Sequence, residues 1–510
     1  MPKAKTRQDI IIIGAGVAGL TAALHLAERG IFPLVLESDP RFLGGRLAGS
    51  ETINIQGTTF RLEHGVHGIW SPYVNFQAML ARHNLRPVLI PAQEETWIYH
   101  HHKHIRRAEV GHAIRSSWFP APLHYLQLFL SPQFLWMLDV RDWASLFHVW
   151  GGLMMGVGID PFGENQPLEG WTLGQLTKSW SPALKAFFLG LARNGLATHP
   201  NEVPLSGFLA FLRFYTLLRR DAWKFSYLPE EAGTAIIEPL AQRIQALSGR
   251  ILLGKRVSRV EQSQEGWNVH VNDEQFTAQS VILAVESAAA QTIVQASFGS
   301  NSWFFPRSLS NVVVRIWFDA QPRRSSEAGI FTGDFILHNY FWLDRIYNSY
   351  RRWSRASGGS CLEAHIYGPN EVLDRPDAIL LTEAIQNVSL AWPELRGHRI
   401  GQHLQRNPAT HTLPAVGPRE RHLGIRTPWP GLFCAGDWVQ HESPAFFLER
   451  ACITGIAAAN EVLQLNQQPP WPLLKPPPPE PFAAWLEQLM RTGRRQRRAK
   501  RQKLPLENTQ

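Results

Sequence analysis

The sequence predicts an α/β fold: a Rossmann-type dinucleotide-binding domain with a mixed α/β substrate domain inserted into it. Three observations predict it. A wholly apolar run, Ile10-Ile11-Ile12-Ile13, leads directly into a glycine turn and a helical pattern. A second apolar run, Leu34-Val35-Leu36, ends in an acid, Glu37. Alternating strand and helix patterns then return far along the chain, at residues 227–286 and 430–462.

The first unit carries the most chemistry. Four consecutive isoleucines suit a strand buried on both faces. Gly14-Ala15-Gly16-Val17-Ala18-Gly19 is a GxGxxG turn. Its first glycine permits the tight turn, its second lets backbone approach a pyrophosphate, and its third lets helix pack closely on strand. Leu20, Ala23, Leu24 and Ala27 recur at helical spacing, and Gly30 ends that helix. Its N-terminus offers unpaired N–H groups and partial positive charge to phosphates. Glu37 can accept hydrogen bonds from ribose hydroxyls and would repel a 2′-phosphate, which argues against NADP. The run continuing to Ala27 is apolar enough to resemble a membrane span, but the glycines and Glu37 favour a soluble βαβ unit, and no signal peptide is expected.

Three further segments favour FAD over NAD. Gly44-Gly45-Arg46 follows the second strand; the glycines allow close backbone approach, and the arginine can pair with phosphate or lie near a flavin. Glu63-His64-Gly65-Val66-His67-Gly68 alternates polar groups with glycines. Leu432-Phe433-Cys434-Ala435-Gly436-Asp437 puts a glycine and a carboxylate at a strand end ahead of a helix, where the carboxylate can accept a hydrogen bond from a polyol chain.

On these segments the chain resembles the flavin amine oxidase and carotenoid desaturase superfamily across nearly its whole folded body. The resemblance implies a glutathione-reductase-like FAD domain. In it Gly14, Ala15, Gly16, Val17 and Gly19 meet the pyrophosphate, and Glu37 the adenosine ribose. Gly44, Gly45 and Arg46 lie near the pyrophosphate and flavin, with Gly65 in the block that follows. Val257, within GKRVSRV, meets the adenine through its backbone, and Gly436 and Asp437 hold the ribitol and phosphate. EHGVHGIW and YLPEEAGTAIIEPLAQRIQ bring the chain closer to carotenoid desaturase-like enzymes than to amine oxidases, nearest those that process carotenoid end rings, such as isorenieratene synthase. Many amine oxidases carry a tyrosine two residues before the glutamate of the C-terminal helix. If Glu449 matches that glutamate, Phe447 stands there, keeping the aromatic wall without the hydroxyl. His67 is the candidate polar group near the flavin, set against a structural histidine in a glycine-rich turn.

The implied domains are discontinuous. Residues 1–90, 230–300 and 405–465 form the FAD domain, residues 91–229 and 301–404 the substrate domain, and residues 466–510 a proline-rich linker and a disordered basic tail. In that tail RTGRRQRRAKRQK carries eight basic residues and no acid, so the remainder of this +9 chain is close to neutral. Trp118, Phe119, Tyr125, Phe129, Phe134, Trp136, Trp143, Phe147 and Trp150 mark an aromatic stretch, read as a substrate lining that dips into a membrane surface or as a helical core. The histidines at 100, 101, 102 and 104 belong to a hairpin over 97–107; neighbours in a strand point to opposite faces, so no metal site is expected. Cys361, Cys434 and Cys452 form no CxxC pair.

The expected function is FAD-dependent desaturation, or another redox conversion, of a carotenoid-like isoprenoid by hydride transfer, with quinone or oxygen as acceptor. The alternatives are amine or amino-acid oxidation and a non-redox pigment-binding flavoprotein. The expected setting is the cytoplasmic side of a membrane, held peripherally by the aromatic helices and basic tail, with no nucleic-acid partner.

Overall fold

A computed structural model describes residues 8–102, 104–163, 168–299, 302–417 and 420–503. Among these residues, two seven-stranded sheets organise the molecule. In the first, the strand Gln8–Ile13 lies between Pro33–Leu36 and Glu274–Leu283, parallel to both. Arg250–Leu252 extends it in parallel beyond Pro33–Leu36, and Leu432–Cys434 joins in parallel alongside Glu274–Leu283. An antiparallel meander, Val257–Ser263, Gly266–Val271 and Glu274–Leu283, completes the sheet. The isoleucines at 10 to 13 are buried, as a central parallel strand requires. The helix Val17–Ala27 covers one face and packs against the long helix Phe447–Leu465; a Cβ at Gly455 would stand 2.5 Å from the Ala18 carbonyl oxygen. The start and end of the folded body therefore meet there.

The second sheet orders its strands Arg399–Thr412, Ser308–Phe318, Ser360–Ile366, Asn339–Trp342, Ala328–Gly333, Glu95–His101 and His104–Glu109. The histidine-rich hairpin forms its edge, with His102 in a left-handed conformation at the turn. The strand Arg399–Thr412 pairs with Ser308–Phe318 along its length, so it runs through the expected boundary at 405 as far as Thr412. The aromatic stretch divides: Tyr125 and Phe134 are core, whereas Trp118, Trp136, Trp143 and Phe147 are exposed. The three cysteines are buried free thiols.

The expected disordered tail is overturned as far as residue 503, and residues 504–510 lie outside the described residues. The proline-rich segment is extended but pinned: Trp471 lies between the Arg29 and Arg82 guanidinium groups, at 4.3 and 4.5 Å, and its indole donates to the His25 carbonyl at 3.0 Å. A helix, Pro481–Lys503, follows it. Ala483 is buried, and Leu486 and Met490 pack on the main core at helical spacing. Ion pairs Arg213–Glu487 (2.7 Å) and Arg491–Asp160 (2.8 Å) add to the docking. The short apolar stripe at 483, 486 and 490 sits just ahead of the charge run that dominates the sequence here.

Candidate functional site

The glycine turn closes on itself. Gly14 has φ +101°, and its N–H donates to the Leu36 carbonyl at 2.8 Å. A Cβ on Gly14 would stand 2.7 Å from the Ala284 carbonyl oxygen, and one on Gly19 only 2.0 Å from that of Gly14. Both positions are closed to side chains. A Cβ on Gly16, by contrast, would meet nothing within 4 Å. The helix that begins at Val17 has no side-chain cap at Gly16, an arrangement that suits an anionic ligand at its first N–H groups.

Glu37 is locked against this turn. Its Oε2 accepts the Ala15 N–H at 2.8 Å, and its Oε1 accepts the Asp39 N–H at 2.9 Å and the Ser38 hydroxyl at 3.1 Å. The Glu37 N–H donates to Leu252 and its carbonyl accepts from Lys255, which brings the turn before Val257 alongside it. Gly44 donates to the Ala15 carbonyl at 2.9 Å, and a Cβ on Gly45 would lie 3.7 Å from the Gly16 Cα. The two glycine motifs are in direct contact.

Arg46 then reaches the C-terminal motif. Its Nη2 donates to Asp437 Oδ2 at 2.7 Å, while the Thr412 hydroxyl donates to Oδ1 at 2.9 Å. Burial would raise the Asp437 pKa, but the Arg46 guanidinium and the two hydrogen bonds hold it below the ordinary carboxylate range. The Gly436 N–H donates to Thr454 on the long helix at 2.9 Å.

The block from Glu63 to Gly68 is tied down by the second sheet. Arg315 is buried there; it donates to Glu363 at 2.7 Å, to the Glu63 carbonyl at 2.6 Å and to Gln405 at 3.0 Å. Glu363 accepts the Val66 N–H at 2.8 Å and contacts His365 Nε2 at 2.9 Å. Burial alone would push Glu363 upward, yet Arg315, with His365, holds it near 2. Gly65 fits over His365, whose Nε2 would lie 3.0 Å from a Cβ there. His67 Nδ1 is buried, 3.7 Å from Glu63. His64 and His411 share this neighbourhood with His67 and Arg46. Burial first, and nearby positive charge second, depress both imidazoles, His64 well below its usual value and His411 to about 4. Both are therefore neutral at neutral pH.

Beside Asp437 opens a cavity of 390 Å³ walled by Phe162, Phe446, Phe447, Thr412, Leu413 and Arg450, among others. Phe162 and Phe446 have ring centroids 5.8 Å apart, and His411 and Phe447 5.6 Å. Arg450 donates to the carbonyls of Ala445 (2.8 Å), Val439 (2.9 Å) and Ser443 (3.0 Å), fixing the loop that carries the wall. Phe447 has φ +52°, a left-handed conformation that costs a bulky residue about 1–3 kcal/mol. Its ring is held in the wall at that cost. Glu449 faces elsewhere: it accepts the N–H groups of Asn75 and Phe76 at the start of the helix Val74–Arg82.

The structure thus brings together the glycine turn, Glu37, Gly44, Gly45, Arg46, Gly436 and Asp437, with the turn leading to Val257 beside Glu37. His411, Thr412, Arg450, Arg315 and Glu363 are additions that the motifs did not reveal, and His64, inside the Glu63–Gly68 block, was given no role there. Arg315 and Glu363 did leave a signal, a lone charge inside the apolar strands VVVRIWF and SCLEAHI. His411 and Thr412 left none.

An uncapped helix N-terminus above a glycine turn, a locked acid at the neighbouring strand end and a distant carboxylate joined by an arginine gather at one place, and residues 17–463 match the flavin-containing amine oxidoreductase family, to which the chain belongs. It is an FAD-dependent oxidoreductase. It is 25% identical to a carotenoid phi-ring synthase from Streptomyces griseus, over 89% of this chain and 87% of that protein. It is 22% identical to a 15-cis-phytoene desaturase from Narcissus pseudonarcissus, over 91% of this chain and 80% of that protein. Among solved structures it resembles cyclohexylamine oxidase from Brevibacterium oxydans in fold, with TM-score 0.65 and 17% identity over 91% of this chain and all of the other.

Proposed function

We propose that the chain carries out a desaturation or related redox conversion of a carotenoid-like isoprenoid, with the first sheet as its FAD half and the second as its substrate half. The relatives named for carotenoid ring and phytoene chemistry support the substrate class. The observation that carries the reading is the cavity wall. Phe162, Phe446 and Phe447 present rings without hydroxyls, and the buried carboxylate on that wall, Asp437, is already engaged by Arg46 and Thr412. The other carboxylate of the lining, Glu442, is exposed to solvent, so an ammonium substrate would find no free buried anion there, whereas a polyene needs chiefly apolar surface.

In this reading Gly14, Ala15, Gly16, Val17 and Gly19 seat the pyrophosphate, Glu37 the ribose, Val257 the adenine, and Arg46, Gly436 and Asp437 the ribitol side. FAD, when bound, supplies the hydride acceptor, and a quinone or oxygen takes the electron pair onward. The protein's own part is to hold the C–H bond in place and exclude water, which the phenylalanine wall, with His411 stacked on Phe447, serves. His67 is the polar group we place nearest the reacting region.

Anaerobic flavin spectroscopy with carotenoids and amines tests this. Carotenoids are expected to bleach the flavin and amines to leave it oxidised; bleaching by amines alone would replace the proposal with amine oxidation. Phe447→Ala is expected to retain FAD but slow flavin reduction about 10- to 100-fold through lost positioning. An unchanged rate would remove Phe447 from the substrate wall.

A further inference from the structure

The helix Pro182–Leu196 packs closely on the second sheet at Gly190, where a Cβ would stand 2.6 Å from the Thr332 methyl carbon and 3.2 Å from Ile330. One turn further on, the same side of the helix carries Arg193 and Asn194. Asn194 has a partner on the sheet, its Oδ1 accepting from Asn339 Nδ2 at 2.8 Å. Arg193 has none. Its Nε is buried, and among the described residues the side chain makes no hydrogen bond and no ion pair. Other arginines of the interior show what is missing. Arg315 has Glu363, Arg213 has Glu487 and the carbonyls of Gly156 and Val157, and Arg450 has three carbonyls. The last carbonyl of the helix, Leu196, is engaged elsewhere, by His411 Nε2 at 2.9 Å and the Thr198 hydroxyl at 2.7 Å.

The charge of Arg193 is as unmatched as its N–H groups. Burial, with no acid to offset it, draws its pKa down to about 10, so the side chain is still a cation at neutral pH. Its ionisable neighbours are imidazoles. His199 and His338 are both depressed, by burial first and by Arg193 next, and both are neutral at neutral pH. The acids that act on His199 are Glu202, already paired with Arg307 at 2.8 Å, and Glu371. His338 has a fixed tautomer. Its Nδ1 accepts the Tyr367 N–H at 2.9 Å, which leaves the proton on Nε2, and Nε2 meets no acceptor among the described residues. Tyr367 in turn joins His365, the residue beneath Gly65, through its hydroxyl at 2.7 Å from Nδ1.

We propose that Arg193 and the His338 Nε2–H bind a carboxylate in the substrate half of the protein. A guanidinium presents N–H donors in one plane, a fork that matches the two oxygens of a carboxylate, and burial strengthens the pairing. One unmatched positive charge beside two neutral imidazoles balances one negative charge, which favours a carboxylate over a doubly charged phosphate. Water can satisfy the N–H groups but leaves a buried charge without its counterpart. The carboxylate belongs either to a free small acid or to the end of a larger apolar ligand. This site is separate from the cavity at Asp437, and it does not depend on the hydrocarbon reading of that cavity.

The test uses the full-length holoprotein, wild type and Arg193→Met, with FAD content as the check on folding. In sodium chloride the thermal midpoint of the variant is expected to equal or exceed that of the wild type, because a stranded charge has been removed. Replacing chloride by acetate at equal ionic strength is expected to raise the wild-type midpoint and to leave that of the variant unchanged. Retinoic acid and retinol share one polyene and differ in the carboxylate, and their affinities are compared by equilibrium dialysis. A preference of about tenfold for retinoic acid in the wild type, lost in Arg193→Met, assigns the carboxylate to a larger apolar ligand. A response to acetate without that preference assigns it to a free acid. A wild type that responds neither to acetate nor to the carboxylate of retinoic acid would overturn the proposal. So would responses that persist in Arg193→Met, or a variant whose midpoint in chloride lies well below that of the wild type, since the guanidinium would then serve the fold.

Discussion

Gly19→Val leaves the protein without flavin and less stable than the wild type. The Cβ alone would stand 2.0 Å from a backbone carbonyl oxygen, so either the helix lifts from the strand or the turn opens. Both destroy the anion seat, and FAD affinity is expected to fall on the order of 100-fold or more. Gly16→Ala separates cofactor from fold. Gly16 has φ −73°, which alanine adopts freely, and its Cβ would enter open space, which in the proposed site the dinucleotide would occupy. Its thermal midpoint without FAD should match that of the wild type, while the FAD dissociation constant rises about tenfold. Titration of both flavin-depleted variants with FAD gives the comparison; normal affinity in Gly16→Ala would mean that the dinucleotide does not pass over this turn.

The second large effect lies in the other sheet. Arg315→Met leaves Glu363 in a dry interior with its principal countercharge gone, at a cost of about 3–5 kcal/mol, read as a lower urea midpoint at unchanged slope. Replacing both partners by apolar residues of similar size should cost much less than Arg315→Met alone, because no charge is then stranded. The pair also sets an acid limb. The folded pKa of Glu363, near 2, is below its ordinary 4.5, so the unfolded chain binds the extra proton between those values. The stabilisation is complete above pH 4.5 and is lost as pH falls towards 2. Glu363→Gln removes this dependence, so the stability difference between wild type and variant should shrink as the pH is lowered through that window. A pH-independent difference would show that the carboxylate charge is not what stabilises the sheet.

Legibility in the sequence followed the range of the constraint. Gly14, Gly19 and Gly44 are required by backbone geometry within a few residues, and Glu37 sits at a strand end that its neighbours define; such features leave a local mark. The contact between the helices Val17–Ala27 and Phe447–Leu465 was accessible only through family resemblance, since Gly455 gives no sign by itself of lying against Ala18. His411 and Thr412 end a strand whose register is set by a partner about a hundred residues earlier, so nothing around them announces that they face Arg46 and Asp437. The left-handed backbone of Phe447 is likewise imposed by its surroundings, since an aromatic residue has no preference for it. At the C-terminus a dense charge run concealed a helix whose docking rests on three small or flexible apolar residues. Composition describes what a segment exposes more readily than what a narrow stripe of it buries.

The account rests on segments hundreds of residues apart, from Gly14 to Asp437, enclosing a single FAD. Its most direct test is the flavin released per chain from pure protein on acid denaturation, after reconstitution with FAD and removal of the excess. One FAD per chain is the predicted result. A protein that neither retains FAD nor takes it up would contradict the account, whatever its behaviour towards polyenes.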